Sequence, residues 1–177
     1  GTEVATTIET ELRAAALSAP TVITIGTFDG VHLGHQHLLS RLKCEASKFN
    51  YIATVLTFRN NPRTVLHADQ DVSYIIGLEE RIDLLKRAGA EVVIPVDFST
   101  QLSLMRARDF MSMLVHTLDM RCLVEGPDFT IGRGREGNVR TVNTIGQELG
   151  FDVKVVAPFT EGNLIVKSSN IRTALGK

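Results

Sequence analysis

The sequence predicts an α/β domain built on one open parallel sheet with helices on both faces. Two observations carry that expectation. Short β-branched apolar runs alternate with longer runs of helical period along the chain, the order that gives parallel strands joined by crossover helices. No internal repeat and no Pro-, Gly- or Ser-rich linker interrupts the alternation, so residues 1–177 read as a single domain.

Each element follows from its own pattern. Residues 21–25 (TVITI) are short, β-branched and followed by Gly26, as in a buried strand. Leu38, Leu39, Leu42, Ala46 and Phe49 recur at helical spacing and predict an amphipathic helix over 34–49. Residues 51–58 form a second strand, broken by Asn60, Asn61 and Pro62, with irregular chain to about 73. A helix over 78–88 is closed by Gly89. A strand over 91–96, a helix over 107–118 and a strand over 121–125 follow. A Gly- and Arg-rich loop runs to about 137, then a helix over 141–149 stops at Gly150. A strand over 151–157 and a closing helix over 168–175 complete the pattern.

Composition excludes several classes. With 44% hydrophobic and 22% charged residues the chain is an ordinary globular one, not a disordered or fibrous one. Lys and Arg number 19 against 20 Asp and Glu, which argues against a generally basic nucleic-acid binder. No apolar run approaches the roughly 18 residues of a membrane span, and residues 1–19 lack the order of a signal peptide. The two cysteines, Cys44 and Cys122, form no Cys-x-x-Cys pair and read as reduced, mostly buried thiols. These features predict a cytoplasmic protein with no membrane or nucleic-acid partner.

In open parallel sheets the ligand lies beyond the carboxyl ends of the strands, so the segments just after each strand hold the candidate chemistry. After the first strand comes Gly26-Thr-Phe-Asp-Gly-Val-His-Leu-Gly-His35. His32 and His35 lie at a helix start, where outward backbone N–H groups favour phosphate, and Gly34 lets that phosphate approach the backbone. His37 reads as a surface or supporting residue. The loop after the second strand carries Arg59 and Arg63 and could fold over a ligand.

Gly132, Gly134 and Gly137 match the dinucleotide fingerprint formally, with Asp152 about 20 residues on. The match is rejected: Gly132 lies seven positions past the strand end at Glu125, and Arg133 and Arg135 suit tight helix–strand packing poorly. A mobile positive loop whose Arg133, Arg135 and Arg140 meet a polyphosphate fits better. Ser168 and Ser169 resemble the cap of the last helix and, with Arg172, suggest a second phosphate cradle. Two such cradles at one sheet edge suggest phosphoryl or nucleotidyl transfer. No P-loop sequence is present.

The run GTFDGVHLGH resembles the first motif of the adenylyltransferase module of prokaryotic FAD synthetases, the bifunctional riboflavin kinase/FMN adenylyltransferases. Thr57-Phe58 with Asn61-Pro62-Arg63, residues 126–132, and residues 166–172 resemble further motifs of that family in order and spacing. The resemblance covers essentially the whole chain. Departures are Arg59 where an acidic residue is common, Asn61 for a usual His, Ile165 for a frequent Arg, and Lys167 and Ser169 for the usual Ser and Thr.

The resemblance implies a Rossmann-like sheet of the HxGH nucleotidyltransferase type. It also implies transfer of AMP from ATP to FMN with Mg²⁺, giving FAD and pyrophosphate. It implies that His32, His35, Ser168 and Arg172 are catalytic. Gly26, Thr27, Phe28, Asp29, Gly34 and Ser169 would join them in binding ATP. Phe58, Asn61, Pro62, Arg63, Asp128 and Phe129 would line the flavin side. The resemblance assigns no protein ligand to the metal, since Mg²⁺ is commonly held by phosphates and water. The family's riboflavin kinase module would follow the last helix and is expected to lie outside these residues. The alternatives are an adenylyltransferase with another phosphorylated acceptor, and a non-catalytic flavin or nucleotide sensor.

Overall fold

A computed structural model describes residues 2–15, 17–28, 33–59, 77–97 and 100–157, with backbone alone at 2–7, 33, 34, 100 and 101. In chain order the elements are α1 (Thr2–Arg13), β1 (Thr21–Gly26), α2 (Leu33–Phe49), β2 (Ile52–Phe58), α3 (Leu78–Ala88), β3 (Val92–Val96), α4 (Thr100–Ser103), α5 (Ala107–Leu118), β4 (Met120–Glu125), β5 (Thr130–Ile131), a 3₁₀ turn (Arg133–Arg135), β6 (Gly137–Asn138), α6 (Val139–Leu149) and β7 (Asp152–Val155).

The main sheet has strand order β3-β2-β1-β4-β7, and every pairing in it is parallel. The chain winds outward from β1 in both directions, so the order reverses between β1 and β4. That reversal opens a crevice at the carboxyl edge of the sheet. β1 is central: Thr21 to Ile25 are all buried, as expected for a parallel strand covered on both faces.

Two cores hold the layers together. Ile23, Ile25, Leu56 and Leu123 face one way and pack against Ile8 and Leu12 of α1, Met111 and Leu114 of α5, and Val142 of α6. Val22, Val55 and Val124 face the other way, against Leu39 and Leu42 of α2 and Leu85 of α3. Full burial of each such side chain contributes about 1.5–3 kcal/mol. The helices therefore lie on both faces, as the alternation predicts. The helices at 78–88 and 107–118 have the expected bounds. The closing helix expected over 168–175 and the irregular chain expected at 60–73 lie outside the described residues.

Three differences have physical causes. Helix α1 had no sequence expectation; it is anchored by Ile8 and Leu12, one turn apart, against the α5 face. The expected mobile loop after β4 instead contains a two-stranded antiparallel hairpin, Thr130↔Asn138 and Ile131↔Gly137. Cys44 is exposed on the outer side of α2, while Cys122 is buried in β4, where desolvation pushes its thiol up to about 12. Among the described residues, no helix is long and apolar enough to cross a membrane.

Candidate functional site

The carboxyl end of β1 is a turn under several restraints. Gly26 closes the strand, and a Cβ there would stand 3.0 Å from the Phe28 ring. A glycine gives that ring room to fold back over the strand end, where any side chain would press on it. Phe28 is 3% exposed and takes a left-handed backbone, φ 53°, which is unfavourable for a bulky side chain. Between them, the carbonyl of Thr27 accepts from the Thr57 hydroxyl at 3.1 Å and from an Arg81 guanidinium nitrogen at 2.9 Å.

Phe28 meets His35 edge to face, with ring centroids 5.0 Å apart and an interplanar angle of 74°. His35 sits in the first turn of α2, half-buried, one residue after Gly34. Gly26, Thr27, Phe28, Gly34 and His35 are thus brought together where β1 hands over to α2, beside the β1–β4 crevice. Asp29, His32, Asn61, Pro62, Arg63, Ser168, Ser169 and Arg172 lie outside the described residues, as do Ile165 and Lys167.

On the side named for flavin, Phe58 is 5% exposed and belongs to the core under α1 and α5. Its carbonyl accepts from Arg81 at 2.5 Å. Asp128 is exposed after β4, and Phe129 packs partly against the same core. Arg59 does not stand alone: its guanidinium donates to Glu11 at 2.6 Å and Asp97 at 3.0 Å, tying α1 to the ends of β2 and β3. These partners also hold its pKa up.

The hairpin after β4 is docked on the start of α5. Arg133 N–H donates to the Met105 carbonyl at 2.9 Å, and the Glu136 carboxylate accepts from Ala107 N–H at 2.8 Å and Arg106 Nε at 2.9 Å. Arg106 offers no side-chain cap of its own, so Glu136 caps α5 from outside. Those bonds hold its carboxyl below the usual range. Arg133, Arg135 and Arg140 are exposed.

Two buried charged residues at this edge were not singled out in the sequence. Arg81 of α3 is 2% exposed and bridges the carbonyls that end β1 and β2. Glu125 ends β4 at 3% exposure. The β1–β4 pairing runs only to Ile23↔Leu123, and beyond it the Glu125 carboxylate spans the opening strands. It accepts from Ile25 N–H at 2.7 Å and from the Thr24 hydroxyl at 3.2 Å. Burial holds this carboxyl well above the usual range despite both bonds. Its one sequence signal is an acid closing an apolar strand. Among the described residues, no three His, Cys, Asp or Glu side chains gather to hold a metal ion.

The FAD synthetase family model matches residues 14–170. The chain is 36% identical over 155 residues to a bifunctional riboflavin kinase/FMN adenylyltransferase of Escherichia coli K12, covering 87% of this chain and 50% of that protein. It is 32% identical over 159 residues to the protein of that name from Bacillus subtilis, covering 89% and 50%. It spans about half the length of the curated relatives it matches. A crystal structure described as a macrolide-efflux protein from Streptococcus pneumoniae superposes with a TM-score of 0.72 at 26% identity, over 82% of this chain and 48% of that one. The family match runs through the β1–α2 turn, both sides of the crevice and the hairpin, and on that extent the chain belongs to the FAD synthetase family.

Proposed function

We propose that this chain is an FMN adenylyltransferase, moving AMP from ATP to FMN to give FAD and pyrophosphate. The observation that carries the reading is the family match over residues 14–170. The activity in the relatives' names and the motif turn at the β1–β4 crevice support it.

A phosphate oxygen of FMN attacks the α-phosphorus of ATP in line. A new P–O bond forms as the bond to the bridging oxygen breaks, and pyrophosphate takes the electron pair. A phosphate monoester is largely ionised at neutral pH, so no strong base is needed. The chain contributes position and charge. His35, braced by Phe28, and His32 donate toward oxygens that gain charge, beside the N–H groups that open α2. Ser168, Ser169 and Arg172 hold the β- and γ-phosphates in this reading. Asn61, Pro62, Arg63, Asp128 and Phe129 line the flavin side. Asp29 and Thr27 complete the ATP side. Mg²⁺ enters as part of the MgATP substrate, with phosphates and water as its main ligands.

Mass spectrometry of the product from ATP, Mg²⁺ and FMN tests the reading. FAD with stoichiometric pyrophosphate is expected. Bound flavin without pyrophosphate release identifies a sensor, and adenylylation of another phosphorylated acceptor in preference to FMN identifies a different transferase.

A further inference from the structure

Arginine is rarely buried without a specific task for its guanidinium. Arg81 is 2% exposed, and its guanidinium reaches out of α3 to two carbonyls from two strands, Thr27 at 2.9 Å and Phe58 at 2.5 Å. Those carbonyls sit where β1 and β2 leave the sheet. Thr57, also fully buried and paired in register with Gly26, adds its hydroxyl to the same Thr27 oxygen at 3.1 Å. One carbonyl thus accepts from two buried side chains.

The next residue shows what this accomplishes. Phe28 is held left-handed at φ 53°, a conformation that persists in a bulky residue only where the surroundings over-determine it. Its peptide is fixed on one side by the Thr27 bonds. Its ring is fixed on the other by the gap over Gly26 and by the edge contact with His35. Loosening the Thr27 carbonyl lets the Phe28 peptide relax toward ordinary backbone. The ring then leaves its place against His35. The coupling runs from Arg81 and Thr57 through Thr27 and Phe28 to the imidazole.

We propose that Arg81, with Thr57, is a positioning residue for nucleotidyl transfer: by clamping the Thr27 carbonyl it keeps Phe28 in the left-handed turn that aims His35. This rests on the adenylyltransferase reading. It assigns Arg81 to turnover, not to substrate affinity. The planar guanidinium spans two carbonyls on neighbouring strands, which a lysine ammonium on a flexible stem does not reproduce.

The test uses the 177-residue chain. Thr57→Val removes one donor and keeps the branched shape suited to β2; Arg81→Lys keeps the charge and removes the fork. Each is assayed for kcat and KM with ATP and FMN. Each is also examined by NMR of the His35 ring signals, which feel the Phe28 ring directly. Thr57→Val is expected to lower kcat about 3- to 10-fold, the loss of one ordinary hydrogen bond, and Arg81→Lys more. Both should shift the His35 signals and leave both KM values close to normal.

Unchanged His35 signals in both variants overturn the proposal, whatever happens to kcat. So does a loss confined to KM for ATP, which makes Arg81 a substrate ligand. If Arg81→Lys does not fold, Thr57→Val decides alone. A wild-type chain that makes no FAD defeats the adenylyltransferase reading, and with it the link to turnover; the clamp on His35 is then judged separately by the NMR shifts.

Discussion

Two glycine-bearing turns leave the carboxyl edge of the sheet, and they are held in opposite ways. After β1, Gly26 clears space for a ring from its own turn, and polar side chains from β2 and α3 grip the backbone. After β4, Gly132 and Gly137 clear space for another element: Cβ atoms there would lie within 3.0 Å of Ala107 at the start of α5. Gly132 also has φ +89°. The first turn stores backbone strain beside a motif histidine. The second docks a hairpin and caps a helix through Glu136. Glycine therefore makes room for a ring of its own turn in one place and for a neighbouring helix in the other. The formal dinucleotide fingerprint belongs to the packing joint.

The largest effect that separates the two turns should come from His35→Ala. Turnover at saturating ATP and FMN is expected to fall about 10²–10³-fold with FMN affinity little changed, as when one donor to developing charge is lost. The same holds for His32→Ala. Steady-state rates beside isothermal titration with FMN check this; near-normal turnover would remove the first turn from the chemistry.

Next in size is Gly132→Ala, which sets a Cβ 2.8 Å from the Ala107 backbone nitrogen in a left-handed position. A stability loss of roughly 1–3 kcal/mol is expected in urea unfolding. A stable variant with little transfer would place the hairpin glycine in the site and erase the contrast.

Glu125 gives a pH signature of the crevice between the turns. Its carboxyl titrates well above the usual range when folded, and near 4.3 when unfolded, as model carboxyls do at about that value. Folding therefore takes up a proton between those values. The stabilisation is full below about pH 4 and is lost as pH rises through the folded pKa. Glu125→Gln mimics the protonated form. The two melting temperatures should converge near pH 4, and the variant should gain steadily above it, by roughly 2–4 °C for each kcal/mol of linkage. A pH-independent gap would contradict the assignment. The smallest effect is Arg59→Ala. Its ion pairs are partly exposed, so about 0.2–1 kcal/mol should be lost in the same unfolding assay with turnover intact.

The sheet was legible because its strands are buried runs and its main helices carry a regular apolar stripe. The run 78–88 ends at Gly89 in sequence and in space. Helix α1 was not legible, because only Ile8 and Leu12 of its described side chains reach the core and α5 supplies what they pack on. Two-residue strands such as Thr130–Ile131 have no period to detect. In the site, the turn and His35 were visible as a motif. Arg81 was not, since among Glu79, Glu80 and Asp83 it reads like any charge on a solvated helix face. Its task depends on two carbonyls from other strands, which no local pattern reports.

The last link between β1 and β4 is made by a side chain. Ladder bonds between peptide groups are common to every sequence that keeps the strand, so substitution can hardly adjust them one at a time. The bond from Ile25 N–H to Glu125 is different, because a single codon can lengthen, shorten, neutralise or delete it. That link is thereby heritable independently of the sheet, and selection can retune it without rebuilding the fold it joins.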